Sequence, residues 1–153
     1  MVSSRGQRIG ALSLELYTTC HATEDCEKVR KGILNLLPLS IRDKVVVRTE
    51  TIEGYYGNPI TTMRVVVDQP AEALSYLSAN IDESEKKIIG LTLGLRYDPK
   101  SRKLVIRFSK QDAYRGYLRV LDQDDVIKLI IHLTGSRTVE DVASYLKNVG
   151  LIL

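Results

Sequence analysis

From Ile9 to Cys20 apolar and polar residues alternate, the period of a strand with one face buried. Leu12, Leu14 and Leu16 would share the inner face; Ser13, Glu15, Tyr17 and Thr19 would share the outer one. The period then becomes helical, with Cys26, Val29, Ile33, Leu34 and Leu37 on one side. Thr23 is placed to cap that helix. Glu24 and Asp25 fall in its first turn, where the dipole favours acids, and Pro38 ends it. Lys44 to Glu53 and Ile60 to Val67 are rich in β-branched residues and predict two strands. The glycines, Asn58 and Pro59 between them supply a hairpin loop.

Pro70 to Ile81 predicts a helix with Ala73, Leu74 and Leu77 inward. Asp82 and Glu85 form a capping pair for a further helix from about Glu83 to Leu95. Gly90 and Gly94 weaken that helix, and Leu91, Leu93 and Leu95 also alternate as in a strand. A turn at Asp98 to Ser101 precedes a strand carrying Leu104, Ile106 and Phe108. Ser109 then caps a single helical turn running through Arg115, with Gly116 as its stop. Tyr117 to Leu121 and Val126 to Leu133 predict a hairpin across Asp122 to Asp125. Gly135 to Arg137 breaks the chain, and Thr138 caps a last helix with Val139, Val142, Ala143, Leu146 and Val149 inward.

This order predicts an α+β fold: a two-layer sandwich whose mainly antiparallel sheet carries its helices on one face. Residues 1–8 read as a basic N-terminal tail, and residues 9–153 as one domain. The uncovered face would present Tyr17, Arg48, Arg64, Arg107 and Lys128 from several strands. Such a face is either a footing for a polyanion or an ordinary solvated surface.

The 153 residues suffice for a real core, and 44% hydrophobic with 27% charged residues is ordinary for a soluble globular protein. The apolar runs are too short to span a bilayer, and the basic N-terminus leads into no signal-peptide core. A cytoplasmic protein with no membrane partner is expected. A net charge of +3 is only a mild bias toward anions, so the placement of charge must matter more than its total. Cys20 and Cys26 fit no common zinc spacing, with or without His21 and His132, so no metal site is expected. Cys26 is expected to pack on the inner face of its helix, and a disulfide is not expected in a cytosolic protein.

Three polar motifs stand at element ends. In Gly54-Tyr55-Tyr56-Gly57-Asn58-Pro59, the glycines and proline stiffen a loop that presents two aromatic rings and an amide. A ring stacked on a base contributes about 1–3 kcal/mol without demanding a sequence. The competing reading folds a tyrosine back over the sheet's end. In Lys110-Gln111-Asp112-Ala113-Tyr114-Arg115, Lys110 shares a side with Tyr114, and Gln111 shares one with Arg115. Lysine offers a point charge to phosphate and arginine a fork, while the plain alternative is a solvated corner plugged by Tyr114. His21, where a strand feeds a helix N-terminus, could donate to a phosphate or stack. No nucleophile elbow, phosphate loop or metal-ligand pair is present, so no enzyme is expected.

Taken together, the motifs resemble those of a family of archaeal proteins described as RNA-binding proteins and predicted exosome subunits. The matching stretches are His21 through Asp25, Gly54 through Ile60 and Lys110 through Tyr114, and the likeness covers the chain from about Ile9 onward. Tyr55 stands where many relatives carry histidine, and the chain after Leu121 matches loosely. The resemblance implies a fold like the ribosomal protein that binds the smallest ribosomal RNA, and RNA binding without catalytic residues. The expected function is a non-enzymatic RNA-binding protein, without a cofactor, associated with RNA processing or degradation. The candidate contacts are His21, Arg48, Gly54, Tyr55, Tyr56, Gly57, Asn58, Arg64, Arg107, Lys110, Gln111, Tyr114 and Arg115. The alternative is a protein–protein adaptor or homodimeric module that docks on the exosome or another RNA-processing complex through apolar residues such as Ile130.

Overall fold

The computed structural model describes residues 9–54, 56–135 and 138–153; the basic tail at residues 1–8 lies outside them. The elements run β1 (Gly10–His21), α1 (Cys26–Leu34), α2 (Leu39–Arg42), β2 (Arg48–Glu53), β3 (Pro59–Val67), α3 (Ala71–Asn80), α4 (Glu83–Leu91), α5 (Leu93–Arg96), β4 (Tyr97–Asp98), β5 (Lys103–Phe108), α6 (Lys110–Tyr114), β6 (Ile127–Thr134) and α7 (Val139–Val149). The six strands form one antiparallel sheet in the order β2-β3-β1-β6-β5-β4. The expected α+β sandwich is what forms.

The period-2 pattern of the central strands decides which face is buried. Leu14, Leu16, Met63, Val65, Leu104, Ile106, Phe108, Ile127, Leu129 and Ile131 turn to one side. They meet Val29 and Ile33 of α1, Leu74 and Leu77 of α3, Ile89 of α4, and Val142 and Leu146 of α7. Removing this apolar surface from water, about 25 cal/mol per Å2, drives the assembly. The one buried hydroxyl in β1, on Thr18, donates to the Val126 carbonyl at 2.9 Å and so avoids the cost of an unmet polar group.

Several expectations from the sequence need correction. Leu12 does not share the inner face of Leu14, because a β-bulge between Ala11 and Ser13 shifts the register and leaves Leu12 exposed. The N-cap of α1 is Asp25, whose carboxylate accepts from the Glu27 amide at 3.0 Å; Thr23 lies in the preceding turn. That helix stops at Leu34, and a turn carries Leu36 and Leu37 into the core. The second strand starts at Arg48, not Lys44, because a turn after α2 takes up Lys44 and Val45, whose amides donate to the Ile41 carbonyl at 2.8 and 3.1 Å. The 83–95 helix is broken at Thr92, whose hydroxyl donates to the Ile88 carbonyl at 2.6 Å and competes with the helical ladder between two glycines. Asp82 makes no side-chain cap there, and Glu85 instead accepts from the Val120 amide at 3.3 Å.

Residues 117–121 do not pair with β6. Both edges of β6 are already occupied, by β1 and β5. The segment bonds instead to the end of β5, through Ser109 N–H to the Arg119 carbonyl and Leu121 N–H to the Arg107 carbonyl, both 2.9 Å. Ser109 caps α6 and Thr138 caps α7 as the sequence implies, and Gly116 and Gly150 end these helices with φ of +90° and +83°.

The cysteines form a disulfide, Cys20 to Cys26, against expectation. The chain doubles back between the end of β1 and the start of α1, which brings the two Cα atoms to 5.6 Å, within bridging reach. An expectation drawn from compartment says nothing of proximity, which this turn supplies.

Candidate nucleic-acid interface

The face of the sheet away from the helices holds a row of cations. In the ladder, Arg48 lies opposite Arg64, Arg64 opposite Tyr17, Tyr17 opposite Lys128, and Lys128 opposite Arg107. Directly opposed residues in antiparallel strands project from the same face. Four cations and one aromatic therefore stand in one line across five strands, a span of about 19 Å at the usual strand spacing. The Arg64 guanidinium lies 4.8 Å from the centre of the Tyr17 ring and also pairs with Glu15. Glu15 and Glu50 are the acids these strands bring to the same face, and Glu15 is further engaged by His132 at 3.6 Å.

All three sequence motifs meet at one end of the sheet. β1 ends at His21, which pairs with Ile60 beside the β2–β3 loop, while β5 ends at Phe108 next to α6, and β6 begins near Asp125. In the loop, Gly54 donates to the Asn58 carbonyl at 2.6 Å, and a Cβ at Gly54 would lie 2.7 Å from that oxygen, so only glycine fits. Gly57 has φ of +79°, the left-handed region. Tyr56 is 87% exposed, and Gly57 and Asn58 are exposed beside it. Tyr55 lies outside the described residues.

At this end two expected contacts are taken up by the protein itself. The Lys110 side chain is only 9% exposed. Its ammonium donates to the Thr19 carbonyl at 2.5 Å and pairs with Glu24 at 3.1 Å and Asp125 at 2.5 Å. His21 Nε2 lies 3.3 Å from Asp125 Oδ1. Burial pushes the Asp125 carboxyl up, but bonding to Lys110 and the charge of His21 outweigh it and hold the group below the usual carboxylate range. The ligand atoms of His21, Glu24 and Asp125 lie within 4.8 Å of one another, a set that could hold a metal ion; the cation found among them is the Lys110 ammonium.

The loop that carries Asp125 is anchored in turn. The buried Arg96 grips Asp122 with two bonds of 2.9 and 2.8 Å, and these bonds hold the Asp122 carboxyl below its ordinary value against desolvation.

α6 packs on α1 beside Gly32, where even a Cβ would meet the Tyr114 amide at an ordinary contact distance of 3.4 Å. The Asn35 amide locks the two helices together by donating to the Ala113 carbonyl at 2.8 Å. Tyr114 thereby comes against Lys28 and Lys31, whose ammoniums lie 5.6 and 5.2 Å from its ring centre. Gln111 and Arg115 are exposed nearby on the same short helix. Lys28 and Lys31 escaped the sequence reading. Their spacing on one side of α1 was visible, but the helix packing that brings them to Tyr114 was not.

An antiparallel sheet with one helical layer and an open cationic face defines a class of α+β module suited to polyanions. The chain belongs to a protein family described as RNA binding, whose model matches residues 13–133. It is 32% identical over 123 residues to an uncharacterized protein of Methanocaldococcus jannaschii, covering 78% of this chain and 83% of that one. It is 31% identical over 129 residues to a Pyrococcus abyssi protein named RNA-binding protein, covering 81% and 82%. Its fold is similar to the crystal structure of a protein from Archaeglobus fulgidus, with a TM-score of 0.76 and 26% identity over 92% of this chain and 99% of that one.

Proposed function

We propose that this chain is a non-enzymatic RNA-binding protein that grips the phosphate backbone on the open face of its sheet. The observation that carries the reading is the line Arg48–Arg64–Tyr17–Lys128–Arg107, assembled by register from five separate strands. Arg48, Lys128 and Arg107 supply its main phosphate contacts, since Arg64 is shared with Glu15 and Tyr17. The exposed Tyr56 and Asn58 on the β2–β3 loop, and Tyr114 with Lys28, Lys31 and Arg115 on the helical side, are flanking contacts. Lys110 and His21 serve instead to hold the end of the sheet together. The family membership supports RNA as the partner, and the resemblance of the motifs supports a place in cytoplasmic RNA processing or degradation, including the exosome.

Titration of labelled single- and double-stranded RNA at two salt concentrations tests the proposal. Affinity should fall steeply with salt. The double variant Arg107→Ala with Lys128→Ala should bind more weakly, with a salt slope shallower by about 1 for each phosphate it no longer neutralises. Unchanged binding in that variant, or none by the native chain at low salt, rejects it.

One observation favours the adaptor reading as a second role. Ile88, Leu91 and Leu95 recur at helical spacing along α4 and α5 and remain exposed, Leu95 to 90%. Ile130, the residue that suggested docking from the sequence, is half-buried on the open face and contributes less.

A further inference from the structure

The two ends of the sheet are built differently. On one side the sheet ends in β4, which is two residues long and leaves little edge to pair. On the other it ends in β2, six residues long, exposed at every position, with no proline and a regular register against β3.

The direction of the backbone groups of β2 follows from the hairpin. Glu53 lies opposite Pro59, which has no N–H, so that pair is not hydrogen-bonded, whereas Gly54 donates to the Asn58 carbonyl. Bonded and non-bonded pairs alternate in an antiparallel ladder. The groups of Arg48, Glu50 and Ile52 therefore point to β3, and the Glu50 carbonyl indeed accepts there from the Thr62 hydroxyl at 3.3 Å. The N–H and C=O groups of Thr49, Thr51 and Glu53 point out from the edge.

We propose that this edge pairs with the same edge of a second copy of the chain, antiparallel across a twofold axis normal to the sheet. That symmetry keeps residue faces matched, so the axis passes midway between one residue and its own copy. Centred on Glu50, the register would oppose two carboxylates; centred on Thr51, it would set Glu50 against Ile52. Centred on Thr49, it sets Arg48 of each protomer against Glu50 of the other, giving two pairs of opposite charge on one face, and it carries the exposed Val46 toward Ile52. Of these three registers, only that one is complementary to itself. The result is a continuous twelve-stranded sheet made from two six-stranded halves. Such pairing needs no RNA, although it draws Arg48, one cation of the open-face row, into the seam.

Sedimentation equilibrium of the full chain over a wide concentration range tests the interface. The native chain should reach the mass of a dimer. Glu50→Arg, which turns both pairs repulsive, should weaken dimerisation about tenfold or more. The exchange Arg48→Glu with Glu50→Arg should restore it, with the thermal melt of each variant reporting an intact fold. Thr49→Pro should abolish the dimer by deleting an outward N–H while sparing the β3 ladder; should it fail to fold, the charge variants carry the test. A native chain that stays monomeric, or a dimer indifferent to Glu50→Arg, overturns the proposal.

Discussion

Replacing Lys110 with methionine keeps the length of the side chain and removes the ammonium that joins β1, Glu24 and the Asp125 loop. In this fold that ammonium is a structural tie: it is nearly buried, and it meets a backbone carbonyl and two carboxylates. Breaking a fully buried pair costs about 3–5 kcal/mol. Here the Glu24 and Asp125 side chains are 28% and 54% exposed, so water recovers part of the loss, leaving about 2 kcal/mol. For a domain of this size that lowers Tm by about 4–8 °C. The pH dependence follows from Asp125. Its carboxyl is held below the ordinary value in the fold, so the stabilisation is full above the unfolded pKa of about 3.9. It fades as pH falls through the lower folded value. The difference between native and Lys110→Met melts should therefore be constant near neutrality and close in strong acid. RNA affinity, measured where both are folded, should change little. A variant that melts like the native chain but binds RNA at least tenfold more weakly would show that Lys110 touches phosphate, and the structural reading of this cluster would fall.

Three further outcomes are expected. Gly54→Ala should destabilise the chain by about 1–2 kcal/mol in urea unfolding, because its Cβ would meet the Asn58 carbonyl, and should quicken proteolytic nicking of the β2–β3 loop; an unchanged midpoint would mean the turn has another conformation. Reducing the Cys20–Cys26 bridge should cost about 2 kcal/mol through the short loop it closes, read as a lower Tm in the presence of a thiol-free reductant; no shift would show that the turn holds without it. Tyr114→Ala should weaken RNA binding by about 1 kcal/mol if bases stack at Lys28 and Lys31, and an unaltered titration would restrict binding to the sheet face.

Local rules made much of this protein legible along the chain. Alternation marked β1, β3, β5 and β6 and told which side of each is buried, apart from the bulge at Leu12, since the pleat sends successive side chains to opposite faces. Ser109 and Thr138 announced their helices because a cap is an interaction between near neighbours. The glycines and proline of residues 54–59 likewise declared a constrained loop. What lay beyond reach were interactions between residues far apart in sequence. The partner that Lys110 and His21 share, Asp125, lies 15 and 104 residues away from them, so neither pairing could be read locally. The hairpin expected at residues 117–133 failed because strand pairing depends on which edges remain free, and β1 and β5 had taken both edges of β6. The same dependence produced the cationic row: each cation could be assigned a face from its own strand, but only the register between strands set the four in line with Tyr17.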